Sequence, residues 1–269
     1  MGEKMTRVIV TLLSDFGLKD PYVAEMKAVI LSECAETELV DISHKIDKFD
    51  VRMGAFVLAS AAPYFPKGTV HVAVVDPGVG TKRRSIIVET KRSYFVGPDN
   101  GVLFLAALKE DICHVYVIEN SRYMLPKVSN TFHGRDIFAP AAVYLAKGCA
   151  ASEFGREVED YVVPDFANPH SEANVLFGEV LYVDDFGNIV TNIPSVLLKD
   201  LAIQEHGSFN LEICEVPTTL RFCSAYGEAH LGEVLAIVGS HDFLEISVNQ
   251  GNAAKRFKAK SGDSIRVWR

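Results

Sequence analysis

The chain has 269 residues, 48% of them hydrophobic and 23% charged, with a formal net charge of -8. A chain of this length buries roughly three-quarters of its unfolded surface and makes one or two domains, which excludes a disordered protein. The acidic balance argues against a nucleic-acid binder that works by phosphate neutralisation, and the first apolar run, Val8 to Leu13, is far short of the ~20 residues of a membrane span.

In chain order, Arg7 to Leu13 reads as a buried strand, and Asp20-Pro21 as a helix start with Asp at the cap and Pro at the first helical position. That helix runs through Met26, Ile30 and Leu31. Glu38 to Ile42 is a strand, Asp50 to Ala62 a helix stopped by Pro63 and Pro66, and Val70 to Val75 an almost wholly apolar strand. Ser85 to Thr90, Tyr94 to Val96 and Val115 to Ile118 are strands; Val102 to Leu108 and Asp136 to Lys147 are helices, the second closed by Gly148. Strands alternating with helices predict a layered α/β domain with a mostly parallel sheet.

From Val175 the texture changes. Leu181 to Val183, Ile189 to Ile193, Phe209 to Ile213, Thr218 to Phe222, Val234 to Val238, Leu244 to Val248 and Ser264 to Trp268 are short strands, and only Pro194 to Leu201 suggests a helix. This predicts an all-β barrel or sandwich. The expected organisation is an α/β domain over residues 1–155, a linker over 156–174 and a β domain over 175–269. Five cysteines, an odd number with no C-x-x-C pair, favour reduced thiols and a cytoplasmic protein.

The chemistry-bearing segments fall at strand ends and helix starts. Ser14-Asp15 follows the first strand, and a carboxylate in such a loop suits the vicinal hydroxyls of a ribose; capping is the plainer role for Asp20. Asp76 ends the third strand, where open α/β sheets bind ligands, although an Asp there also caps turns. Gly78-Val79-Gly80-Thr81-Lys82 lacks the spacing of a phosphate loop. His133-Gly134-Arg135-Asp136 opens an apolar helix, with Asp136 or the turn before it as cap; a His at a helix N-terminus is favoured as the neutral imidazole. Asp15-Phe16-Gly17 and His133-Gly134-Arg135-Asp136 share letters with protein-kinase motifs, but in reversed order and without the Gly-rich loop and its Lys. Asp184-Asp185-Phe186-Gly187-Asn188 reads as a hairpin-type turn, whose Asn188 amide can also read an adenine edge. The His and acidic residues show no metal-ligand spacing, so no metal is expected.

Together these segments resemble the S-adenosyl-L-methionine hydrolase (adenosine-forming) family, also called SAM hydroxide adenosyltransferases, which is related to SAM-dependent fluorinase and chlorinase. The resemblance is carried in order by Leu13-Ser14-Asp15-Phe16-Gly17, Val75 to Thr81 with Arg83-Arg84, Gly97-Pro98-Asp99-Asn100-Gly101, Thr131 to Asp136, Asp184 to Asn188 with Thr191-Asn192-Ile193, and Leu244-Glu245-Ile246 with Asn249 to Ala254. It implies a C-terminal β-barrel and a homotrimer whose active sites lie between the N-domain of one subunit and the C-domain of the next. It implies hydrolysis of SAM to adenosine and L-methionine, SAM being the substrate and no cofactor being needed.

By the same resemblance Asp76, Arg83 and His133 form the catalytic set, with Arg84 the alternative to Arg83. Asp15 and Asp20 would hold the ribose diol, Asn188 would contact adenine with Phe186 beside the ligand, and Asp184 and Ser240 would meet the methionine amine and carboxylate. Phe16, Phe132, Glu245 and Asn249 complete the substrate-binding set. The related halogenases carry a Tyr at the position of Asp76 and a Ser at that of Gly134; an anion at 76 repels halide and can orient water, which favours hydrolysis. Two alternatives remain at this stage: a SAM-dependent halogenase, and a protein that binds adenosine or SAM without chemistry.

Overall fold

A computed structural model describes residues 8–269 of the chain. Arg7, the expected head of the first strand, lies outside the described residues. The chain divides into two compact units, one ending at Pro164 and the other running Asp165–Arg269.

The first unit holds β1 (Ile9–Ser14), α1 (Tyr22–Glu33), β2 (Glu38–Ser43), α2 (Val51–Ala61), β3 (Val70–Val74), β4 (Ser85–Thr90), β5 (Tyr94–Pro98), α3 (Phe104–Lys109), β6 (Ile112–Val117) and α4 (Ala139–Ala146). The sheet order is β2-β1-β3-β5-β4-β6. The pairs among β2, β1, β3 and β5 are parallel, and β4 runs antiparallel to both β5 and β6. Strand alternation sorts the core into two layers. Val10, Leu12, Val72 and Val74 pack with Met26, Ile30, Phe138 and Ala142. Leu13, Ala73 and Val75 pack with Leu58, Ala59, Leu103 and Ala106 on the other face.

Two helix starts differ from expectation. Pro21, not Asp20, is the cap residue of α1, and no side chain caps it; Asp20 is exposed. The expected helix from Asp136 begins instead as a π turn over Gly134–Phe138, and Asp136 does not cap α4. The reason is Pro140, which has no N–H to donate to the Asp136 carbonyl four residues back. That carbonyl accepts from Leu125 N at 2.9 Å instead, and Ala139 N donates five residues back to Gly134. At α2 the Asp50 carboxylate does accept from Met53 N–H, at 2.9 Å.

His71 is a core residue of β3, paired across the register with Thr11, whose Oγ1 lies 2.8 Å from His71 Nδ1. Its ring stacks on Phe95, and its Nε2 is buried without a hydrogen-bond partner. Burial, helped by the Arg92 charge, lowers its pKa from 6.5 to about 3. The unfolded chain therefore binds a proton that the native state refuses between pH 6.5 and about 3, so stability falls as pH falls through that window. About 2–3 kcal/mol is expected to be lost between pH 7 and 4.5 from this group alone. Urea unfolding of His71→Gln at the two pH values should show a correspondingly smaller loss; an unchanged difference would refute the assignment.

In the second unit, β7 (His170–Glu172), β8 (Val175–Val183), β9 (Ile189–Pro194), β10 (Ser208–Ile213), β11 (Val216–Phe222), β12 (Val234–Val238), β13 (Phe243–Val248) and β14 (Ser264–Trp268) are joined with α5 (Ser195–Asp200) and α6 (Ala253–Phe257). The sheet order β14-β10-β11-β12-β13-β9-β8 closes through β14–β8 into a seven-stranded barrel, with β7 added at the edge of β8. The barrel is filled by Leu176, Ile193, Phe209, Leu220, Ala236, Leu244 and Ile265 among others. The expected strand at Leu181 is the end of the nine-residue β8, and α6 is an element that the sequence reading omits. The stretch expected as a linker is shared. Val158 N donates to Val115 O and Asp160 pairs with Arg84 in the first unit, while β7 belongs to the second.

Candidate active site

The register of β1 and β3 builds the site. Ser14 is paired with Val74, so Asp15 and Asp76 leave the carboxyl ends of adjacent parallel strands. This is the edge at which open α/β sheets bind ligands. A cavity of about 630 Å³ opens there, lined by Asp15, Phe16, Lys48, Asp76, Phe132 and His133, with Tyr22, Phe49 and Arg135 at its walls.

Asp76, Arg83 and His133 form one connected cluster. Arg83 Nε donates to Asp76 Oδ1 and Oδ2 at 2.9 and 3.0 Å, and its Nη2 reaches Oδ2 as well. Nη1 donates to Ser85 Oγ at 2.8 Å, Nη2 lies 2.8 Å from His133 Nδ1, and the guanidinium sits over the Phe138 ring. Both charged side chains are over nine-tenths buried. An arginine only donates, so His133 Nδ1 accepts and the neutral imidazole carries its proton on Nε2. Burial, and then the Arg83 charge, hold the His133 pKa below 6.5, against the opposing pull of Asp76 and Asp136. Arg84 turns the other way, onto Asp99 and Asp160.

Two loops carry this cluster, and a glycine lets them meet. Gly80 has φ +74, and a Cβ there would stand 2.2 Å from the Asn130 carbonyl oxygen. Gly80→Ala is expected to cost about 1–3 kcal/mol through the left-handed backbone and the contact, and to lower kcat by parting Asp76 from His133. Thermal unfolding and turnover of the variant check this; a normal kcat would refute the coupling. Gly134 is crowded too, since a Cβ would meet Met26 Sδ at 3.1 Å and Phe132 Cε2 at 3.2 Å.

On the other side of the cavity, Asp15 is buried and its Oδ2 accepts from Phe49 N at 2.9 Å. Lys48 Nζ donates to the Asp15 carbonyl. Phe16, Tyr22 and Phe132 form a ring-edge trio with centroids 5.2–5.7 Å apart. Arg135 lies over Phe132 and is neutralised by Glu25 and Asp136, each at 2.7 Å.

The cavity thus gathers Asp15, Phe16, Asp76, Phe132 and His133 with Arg83 behind them, and leaves out Asp20. Sequence reasoning missed Tyr22, Lys48, Phe49 and Ser85. Lys48 and Phe49 directly precede the Asp50 cap of α2, and Phe49 has a φ of 66. The readable cap marked where the helix begins but not that the residues before it face β1.

In the second unit, Asp184 Oδ1 accepts from Phe186 N and Asn188 N, and Oδ2 accepts from Asn188 Nδ2 at 2.9 Å. This fixes the Asn188 side chain, which is buried, while Phe186 is 80% exposed. Glu245, buried on β13, accepts from Tyr226 Oη at 2.7 Å and from Ser247 Oγ at 2.8 Å. Burial, then Glu245, raise the Tyr226 pKa. Tyr226 is a further residue that sequence reasoning missed. Ser240 is exposed on the β12–β13 turn, and Asn249 Nδ2 is spent on the Ala229 carbonyl. Among the described residues, no three His, Cys, Asp or Glu side chains gather as a metal site, and no helix is long and apolar enough to cross a membrane.

Residues 10–155 match the SAM hydroxide adenosyltransferase N-terminal domain, and residues 178–266 match the C-terminal domain of the same name. The chain is 38% identical over 266 residues to the (R)-S-adenosyl-L-methionine hydrolase of Thermus thermophilus, covering 96% of this chain and 98% of that one. The protein of the same name from Methanocaldococcus jannaschii is 35% identical, over 96% and 95% of the two chains. A fluorinase from Actinopolyspora mzabensis is more distant, at 26% over the whole of both. A solved structure from Thermotoga maritima superposes with a TM-score of 0.89 at 38% identity, over 97% of this chain and 100% of that one.

Proposed function

The chain belongs to the SAM hydroxide adenosyltransferase family, and from that premise we propose that it hydrolyses S-adenosyl-L-methionine to adenosine and L-methionine, water attacking C5′ in line with the departing sulfonium. The observation that carries the reading is the Asp76–Arg83–His133 cluster, with its ion pair buried, at the wall of a cavity that also presents Asp15.

The leaving group is a neutral thioether, so no general acid is needed; the difficulty lies in the weak nucleophile. Asp76 orients the water and takes its proton as the C–O bond forms. That proton becomes strongly acidic once the oxygen carries positive charge, so a carboxylate already held by Arg83 suffices. His133 keeps its proton on Nε2 and acts as a donor that orients, not as the base. Asp15 accepts from the ribose diol, and the Phe16–Tyr22–Phe132 trio walls the nucleoside. Positioning of this kind can supply roughly 7–11 kcal/mol of the barrier.

Halide transfer is disfavoured on two grounds. The Asp76 carboxylate repels an anion, and Gly134 offers no hydroxyl to donate to a halide. The working unit is a homotrimer in which Asn188 and Glu245 of a neighbouring copy reach the adenine and the methionine ammonium. The relatives' names specify the (R) epimer, and we assign the same preference here.

The test is chromatography of each SAM epimer incubated with the protein, with and without chloride, alongside light scattering for the trimer mass. Adenosine and methionine in equal amounts, faster from the (R) epimer and with no chlorinated nucleoside, are expected. Intact SAM with adenosine retained on the protein would replace the hydrolase reading with a binding protein.

A further inference from the structure

Directly behind Asp15 lies a polar chain, buried at Ser14 and His44 and open to solvent at Asp41, that the chemistry above does not use. It consists of Ser14, His44 and Asp41, with Lys27 at its outer end. His44 is the first residue after β2. The β1–β2 register slips by one residue between Leu12 and Leu13, from Leu12 opposite Asp41 to Leu13 opposite Ser43. The slip brings His44 level with Ser14.

His44 then ties both ends of the turn that carries Asp15. Its Nδ1 lies 2.8 Å from Ser14 Oγ, and its carbonyl accepts from Gly17 N at 2.7 Å. Ser14 Oγ also accepts from Phe16 N at 3.3 Å. Asp41 Oδ1 stands 3.2 Å from His44 Nε2, a charge contact without good hydrogen-bond alignment, and Lys27 Nζ holds the other Asp41 oxygen at 2.6 Å. The carboxylate beside Nε2 favours the proton there. Nδ1 is then left to accept from the Ser14 hydroxyl, whose oxygen accepts from Phe16 N–H. One tautomer orients the Ser14 end of the chain in one direction, and burial favours the neutral His44 ring.

We propose that His44 is a positioning residue which, through Ser14 and the Gly17 amide, clamps the Ser14–Gly17 turn so that Asp15 distinguishes ribose from 2′-deoxyribose. The inference rests on the reading of Asp15 as the partner of the ribose diol. A hydrogen bond to a carboxylate is sensitive to small displacements, and among the described residues the backbone amide of Phe49 holds the Asp15 side chain from the far side. The clamp supplies the other constraint.

Calorimetric titration of adenosine and 2′-deoxyadenosine into the full-length protein tests this. The unsubstituted protein is expected to prefer adenosine by about 10- to 100-fold, the range of a charge-assisted hydrogen bond, and Asp15→Ala to lose the preference. Ser14→Ala and His44→Leu should cut the preference below about threefold and raise KM for SAM more than they lower kcat, because Asp76 sits on another strand. His44→Asn, which offers an acceptor near the position of Nδ1, should restore most of it. Ser14→Ala removes a single hydroxyl and so remains informative even if His44→Leu does not fold. A full preference in Ser14→Ala and His44→Leu, alongside its loss in Asp15→Ala, overturns the clamp while leaving the ribose reading intact. No preference in the unsubstituted protein overturns the ribose reading and the clamp with it.

Discussion

Asp76→Asn is expected to lower kcat by about 10²–10⁴, the range for losing a positioned proton acceptor, while adenosine binds within about threefold of normal. The asymmetry follows from where the residue stands. Asp76 follows β3, at the part of the cavity assigned here to the reaction, whereas the ribose is assigned to Asp15 on β1. An amide keeps the shape and can still accept from Arg83, but it cannot accept a proton from water as the C–O bond forms. The substitution also leaves the Arg83 cation without its charge partner in a buried site, and removing one member of such a pair commonly costs about 3–5 kcal/mol. Turnover must therefore be measured well below the variant's own melting temperature. Stopped-time product analysis with a parallel adenosine titration separates the two effects. A variant that retains kcat but binds adenosine poorly would move Asp76 from chemistry to binding.

Arg83→Lys is the second large effect. The guanidinium serves four partners at once, namely both oxygens of Asp76, Ser85 Oγ, His133 Nδ1 and the Phe138 face. A lysine keeps the charge but is a point donor on a flexible stem, and it cannot reproduce that fork. A fall in kcat of about 10²-fold is expected, in line with the loss of a preorganised hydrogen-bond donor.

The pH profile gives a sharper sign. His133 is held below 6.5 by burial and by the Arg83 charge, and its neutral form is the one that Arg83 can donate to. The acid limb of kcat/KM, which reports the free enzyme, therefore lies below pH 6.5. With the cation displaced from Nδ1 one depressing cause is weakened, so the limb moves upward toward 6.5. A limb that stays in place in Arg83→Lys would show that another group sets it.

Much of the fold and of the site is legible in the sequence. The alternation of Val70 to Val75 with the neighbouring strand–helix pairs marks the parallel part of the sheet, β2-β1-β3-β5, and the motif order marks the family. Asp15, Asp76 and His133 stood at strand ends and a helix start, the places that α/β architecture brings together. The unreadable parts have physical causes. The start of α4 was misplaced because Pro140 frees the Asp136 carbonyl, a non-local effect repaid by Leu125. Adjacent arginines cannot be separated by composition. Only the turn into β4 decides that Arg83 meets Asp76 while Arg84 meets Asp99. Lys48 and Phe49 carry no spacing signal, because their approach to Asp15 depends on the β1–β2 pairing and on the left-handed backbone at Phe49. Asp20 is placed apart from the cavity. It sits close to Asp15 in sequence, but it lies on the solvent side of the turn.

The claim at the centre of the account is attack by water on C5′ of SAM. Reaction in H₂¹⁸O followed by mass spectrometry of the products tests it most directly. One ¹⁸O in the 5′-hydroxyl of adenosine, with unlabelled methionine, is the predicted result. Unlabelled adenosine, or label in a methionine-derived product, would contradict it by placing the broken bond elsewhere.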